Sequence, residues 1–151
     1  MSILFSTERL SPALFAEMVP LITKHFYEIS HFKDRKVEPD FIHYIAADQA
    51  RVLRIYTARE AGKLIGYSVF MVTLHPHFKS LTRAHEELLF IDENERKGLT
   101  GVAFIAYCDK QLIEGGVQMI YRAVTGHLDF SPLLIRQGYE LCDQVYARRI
   151  Q

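Results

Sequence analysis

Between Pro12 and Phe26 the apolar residues Leu14, Phe15, Met18, Leu21, Ile22 and Phe26 recur every three or four positions, the period of one helix face. Ser11-Pro12 just before them offers a capping hydroxyl and a residue suited to the first turn, which fixes the start. A polar break, HFKDRKVEPD, precedes a second, shorter helix carrying Phe41, Ile42, Ile45 and Ala46. From Arg51 the period falls to two. VLRIYTARE and KLIGYSVFMVTLH, rich in β-branched and aromatic residues, flank the compact turn AGK and predict a hairpin. HEELLFID reads as a third strand. A glycine bend follows, and Val102, Ile105, Ala106, Leu112 and Ile113 then mark a helix that stops at Gly115-Gly116. VQMIYRAV is almost continuously apolar, as expected of a strand covered on both faces. Ser131-Pro132 opens a short helix ended by Gly138, and YELCDQVYARRI has the pattern of a last strand. This order of elements predicts an α/β (α+β) domain spanning residues 1–151, with a mixed sheet flanked by helices.

Composition narrows the function classes. The 151 residues suffice for one packed core. Lys plus Arg balance Asp plus Glu at 18 each, which argues against a nucleic-acid backbone or an anionic membrane as the bulk partner. No stretch approaches the roughly 20 apolar residues of a membrane helix, and MSILFSTERLS has no basic start followed by a long apolar run. Cys108 and Cys142 each lie in an apolar run without a CxxC pairing, which predicts two buried free thiols and a cytoplasmic protein.

The bend ENERKGLTGVAF carries the most specific chemistry. A strand that enters a helix through glycines exposes unpaired N–H groups at the positive end of the helix dipole, and Gly98 and Gly101 leave room for an anion there. Neither the GxGxxG dinucleotide fingerprint nor a GxxxxGK[ST] phosphate loop is present. The bend and the order of elements around it resemble the GCN5-related N-acetyltransferases, whose Q/R-x-x-G-x-G/A signature after the fourth strand holds the pyrophosphate of acetyl-CoA. Aligned on Gly98, the first signature position is Glu95 and the last is Thr100, with Gly101 one step later and Arg96 and Lys97 supplying cations. The closing segment TGHLDFSPLLIRQGYELCDQVYARRI is similar to the end of phage-encoded members.

This resemblance implies acetyl transfer from acetyl-CoA to a primary amine of a small molecule or peptide. Leu89, Phe90 and Ile91 would offer backbone groups to the pantetheine arm, with a strand N–H near Leu89 or Phe90 polarising the acetyl carbonyl. Arg96, Lys97, Gly98, Leu99, Thr100, Gly101 and Val102 would form the pyrophosphate seat. Glu86 or Glu87 is the expected base; strict alternation puts Glu86 on the face of Leu88 and Phe90, and Glu87 on that of Leu89 and Ile91. The family's tyrosine acid falls on Leu134, which leaves Tyr121, His127 and Ser131 as substitutes and raises the alternative of a binding or virion-associated module with an eroded site. His75 and His77 in LHPHFKSLTRAH invite a metal reading. Pro76 breaks the strand pattern there, so the expectation is no metal and a loop bordering the acceptor pocket, which Tyr27, His31 and Phe32 also approach. The terminal strand offers an edge for pairing across a homodimer.

Overall fold

The structure is a computed structural model that describes residues 2–151. The elements are β1 (Ile3–Glu8), α1 (Pro12–Ile29), α2 (Phe41–Gln49), β2 (Leu53–Glu60), β3 (Lys63–His75), β4 (Phe78–Ile91), α3 (Thr100–Glu114), β5 (Met119–Tyr121) and α4 (Ser131–Arg136). The five strands form one sheet in the order β1-β2-β3-β4-β5. The first four are antiparallel neighbours, and β5 joins β4 in parallel.

Local chemistry sets most boundaries. The Ser11 hydroxyl accepts from the Leu14 N–H at 3.0 Å, and the Asp40 carboxylate accepts from the His43 N–H at 3.1 Å, so both leading helices are capped. Ala61 and Gly62 turn the β2–β3 hairpin with φ of 48° and 81°, the pair of positive angles that matches strand twist. Gly116 and Gly138, at φ 91° and 93°, follow the ends of α3 and α4.

The sheet separates two apolar layers. Tyr56, Ile65, Phe70, Ala84 and Ile91 pack with Phe104, Cys108 and Leu112 of α3 on one face. Leu53, Ile55, Tyr67, Val69 and Phe90 pack with Leu14 and Met18 of α1 on the other. At Gly66 a side chain would meet the Phe90 carbonyl at 2.7 Å, so the absent Cβ lets β3 and β4 lie close together.

Several expectations are corrected. Residues 3–8 form an edge strand that the pattern reading passed over: Ile3 and Phe5 pack toward α3 while Leu4 points to water, a short in–out alternation. LHPHFKSLTRAH is no loop but the end of a long hairpin turned by two residues, Pro76 and His77, and none of it lines the cleft described below. VQMIYRAV contributes only three strand residues, with Met119 exposed, because a single neighbour pairs with it. Residues 139–150 pair with no strand: they run without helix, turn or bend, and Cys142 on them is exposed rather than buried. Among the described residues, no helix is long and apolar enough to cross a membrane.

Candidate functional site: a cleft where two strands part

β4 and β5 pair only at Arg83–Met119, Ala84–Ile120 and His85–Tyr121. Beyond that last pair the strands diverge. A cleft of about 390 Å³ occupies the gap, walled by β4 from Glu86 to Ile91, by α1 through His25 and Glu28, by the glycine bend and by the chain around Thr125, Leu128 and Leu133. Six consecutive strand residues line it, and consecutive side chains point to opposite faces, so β4 presents its backbone edge to the cleft.

The register states which backbone groups face in. Asp92 donates its N–H to the Ile65 carbonyl at 2.7 Å, one pair beyond Ile91–Gly66. Antiparallel pairs alternate between hydrogen-bonded and open, so Phe90 bonds to Tyr67, whereas Leu89 and Ile91 turn their N–H and C=O groups toward β5. The Ile91 carbonyl is taken by the Arg96 guanidinium at 2.6 Å. Among the described residues, the Leu89 N–H and C=O have no partner.

A bulge re-aims the two acidic side chains. Val69 pairs with Leu88 and Phe70 with Glu86, leaving Glu87 as an extra residue in β4. The alternation slips by one there. Glu86 therefore lies on the α3 face with Leu89 and Ile91, contrary to the strict alternation expected from sequence. Its side chain is 4% exposed, contacts the Arg122 guanidinium and accepts from the Ser68 hydroxyl at 3.3 Å. Arg122, itself fully buried, also donates to Asp109 at 2.7 Å and to the Tyr139 hydroxyl at 3.0 Å, and lies over the Phe70 ring. Burial pushes the Glu86 carboxyl up to about 7 against the opposing pull of Arg122. Glu87 is exposed, lines the cleft and is close enough to Tyr44 and His85 to influence both.

At the far end, Gly98 has φ +59°, a conformation that suits glycine, and neither Gly98 nor Gly101 has an atom within 4 Å of where a Cβ would sit. The α3 N-terminus has no side-chain cap and no acidic residue in its first turn. Thr100 donates its N–H and hydroxyl to the Lys97 carbonyl, and Ala103 donates to Leu99; among the described residues the N–H groups of Gly101 and Val102 have no protein acceptor. Two free donors and an uncompensated dipole are the physical requirements of an anion site.

Of the residues singled out from sequence, Glu86, Glu87, Leu89, Phe90, Ile91, Arg96, Gly98, Gly101 and Val102 line one cleft. Lys97, Leu99 and Thr100 lie in the same bend without lining it; Leu99 is 75% exposed. Arg96 is turned back, paired with Glu28 and stacked over Phe90, so its charge is largely committed. Tyr121 sits at the fork, its ring stacked on His85 at 4.6 Å, and does not line the cleft; its hydroxyl has no partner among the described residues. Tyr27, His31 and Phe32 do not line the cleft; His31 stacks on His127 at 5.7 Å. Leu134, in the tyrosine-acid position, is buried. Among the described residues, no three metal-ligating groups converge.

Sequence reading missed His25, Ser68, Asp109 and Arg122. His25 is 5% exposed, its Nδ1 is 3.2 Å from the Tyr67 hydroxyl and its ring packs on Phe90. Burial lowers its pKa from 6.5 to about 4, so it is neutral at neutral pH. A folded-state pKa below the unfolded one means that His25 supports stability fully above pH 6.5, and that the support fades as pH falls toward 4, by up to about 3 kcal/mol. His25→Gln is expected to flatten this acid limb in urea titrations at stepped pH; an unchanged limb would assign it to other groups.

A five-stranded mixed sheet whose fourth and fifth strands part beside a glycine-bounded helix is the fold of the GCN5-related N-acetyltransferases. Among solved structures the chain resembles the ribosomal-protein-alanine N-acetyltransferase of Brucella melitensis biovar Abortus 2308, at 16% identity over 99% of this chain and 100% of that one, TM-score 0.72. It likewise resembles an aminoglycoside acetyltransferase from an uncultured soil metagenomic sample, at 16% identity over 97% of both chains, TM-score 0.73. A predicted acetyltransferase with acetyl-CoA from Clostridium acetobutylicum matches at 10% identity over 99% of this chain and 97% of that one, TM-score 0.67. No family model and no curated protein sequence matches the chain.

Proposed function

We propose that the chain is an N-acetyltransferase that moves an acetyl group from acetyl-CoA to a primary amine by direct attack. The observation that carries this reading is the continuity of one cleft, from the open Leu89 edge of β4 to the free N–H groups of Gly101 and Val102. The diphosphate of the cofactor fits that helix end, and the pantetheine arm fits the unpaired strand edge as a substitute for β5. Its structural neighbours are named for acceptors that include aminoglycosides, a ribosomal-protein alanine and glucosamine-6-phosphate, all of which present amines.

An ammonium has no lone pair, so a proton must leave first. Glu87, exposed on the bulge, is the better placed base, acting directly or through one water; the Glu86 carboxylate is occupied by Arg122 and Ser68. The amine nitrogen then bonds to the acetyl carbon, and the carbonyl oxygen gathers charge against the Leu89 N–H. The nitrogen, cationic after the attack, gives its second proton to water; collapse then breaks the carbon–sulfur bond, and the departing thiolate takes a proton from water. In assays of CoA release across an amine panel, Glu87→Gln is expected to lower kcat about 100-fold with the KM for acetyl-CoA unchanged. An unaltered kcat would remove Glu87 from the mechanism.

A second reading, a binding module that keeps the fold without turnover, is favoured by Leu134 in the acid position and by Arg96 being committed to Glu28. Acetyl-CoA binding without CoA release for any amine would establish it.

A further inference from the structure

Just before the cleft, β4 carries a polar cluster that the proposed transfer leaves unused. His85 pairs with Met71, which packs in the α1 layer, so Arg83 and His85 take that face of the sheet. In β5, Ile120 packs in the α3 layer, so Met119 and Tyr121 on either side of it join the face of Arg83 and His85. The bulge turns Glu87 to this side as well, near Tyr44 of α2. Burial lowers the His85 pKa, Arg83 adds to the fall and Glu87 opposes it, which places both charges close to the ring. One strip thus runs from Arg83, over the stacked His85 and Tyr121 rings, to Glu87 at the mouth of the cleft.

Arg83 differs from the other arginines of the sheet and helices. Arg9, Arg59, Arg96 and Arg122 each pair with a carboxylate. Arg83 pairs with none among the described residues, and its Nε is buried without an acceptor. A half-buried guanidinium with an orphaned N–H is a fork set for a carboxylate from outside the chain. Its neighbours Thr73, Met119, His75 and His85 offer no carboxylate either, so an ammonium has nothing to pair with at this end. We propose that the acceptor carries a carboxylate remote from its amine: the amine lies at Glu87, the carboxylate on Arg83, and the chain between them across His85 and Tyr121. Which end reacts rests on the acetyltransferase reading. Four residues of strand set the two charges roughly 13 Å apart, a gap that an ω-amino acid of about eight carbons can bridge. A polyamine without an acid, the aminoglycoside kind of acceptor, is the class this strip disfavours.

Calorimetry on the full chain with CoA present reads binding rather than turnover, so its failure is separate from failure of the acetyltransferase reading. The probes are ω-aminooctanoate, its primary amide and octane diamine, one chain with three different ends. Wild type should bind aminooctanoate about tenfold more tightly than the amide, and the diamine more weakly still. Arg83→Gln should erase that preference, Arg83→Lys should keep part of it, and Arg83→Glu should invert it toward the diamine, a gain that unfolding cannot produce. Equal affinity for the three probes, no binding of aminooctanoate, or a preference that survives Arg83→Gln would each overturn the proposal. Carboxylate-dependent binding with no CoA released from acetyl-CoA would uphold the ligand assignment and count against the transfer instead.

Discussion

Gly101→Glu is expected to leave the fold intact, raise its stability slightly and abolish the response to acetyl-CoA. The two effects have opposite signs for one electrostatic reason. A carboxylate in the first turn of α3, which has no acidic residue there, favours the helix by about 0.3–1 kcal/mol. It also occupies the open space beside the N–H groups that are to receive the diphosphate, and repels it. In wild type, acetyl-CoA at a hundredfold excess over Kd adds about 2.7 kcal/mol, which for a chain of this size raises Tm by about 5–10 °C. In the variant that rise should vanish while the ligand-free Tm holds or climbs. Gly101→Ala is the control, since its methyl meets nothing within 4 Å and carries no charge. Gly98 is the poorer site for this experiment: at φ +59° any side chain strains the bend, so lost binding would not separate charge from geometry. A full acetyl-CoA shift in Gly101→Glu would sink the cofactor assignment.

What was legible in the sequence was what neighbouring residues decide among themselves. Ser11 and the glycines after α3 and α4 act within one turn of chain, and the glycine bend announced a helix end that suits an anion. The acidic pair was found but wrongly aimed. A bulge is an insertion relative to a partner strand, so no count along β4 alone reveals that Glu87 is the extra residue. The terminal segment YELCDQVYARRI carries residues that suit a strand, but a strand needs a neighbour, and no strand among the described residues pairs with it. Arg122 was overlooked inside VQMIYRAV, although its sequence did carry a signal. A cation in an otherwise apolar run has to find carboxylates, and here they come from 36 and 13 residues away.

Arg122→Leu should therefore be the most damaging single change in the molecule. Arg122 joins four separate parts of the fold: Glu86 on β4, Asp109 on α3, Tyr139 beyond α4, and its own position just after β5 where the strands part. Removing the guanidinium leaves two carboxylates at 4% and 18% exposure with no cation, a change that costs about 3–5 kcal/mol and about 6–20 °C in Tm. The loss should depend on pH in a defined direction. Glu86 already holds its proton up to about pH 7 in the folded state against 4.5 for the free group, so the native form binds more protons in that window and its stability declines as pH rises through it. Without Arg122 the carboxyl is pushed higher still, and the destabilisation should be smallest near pH 5 and grow toward pH 8. Glu86→Gln in the Arg122→Leu background should remove most of that growth, because the amide has no proton to lose, and should recover part of the Tm. A deficit that stays constant with pH, or a double variant no better than the single one, would mean that Arg122 acts through packing on Phe70 and Tyr139 rather than through charge. The site should register the same loss, since this network fixes the point at which the cleft opens: in Arg122→Leu the KM for acetyl-CoA should rise along with the fall in Tm.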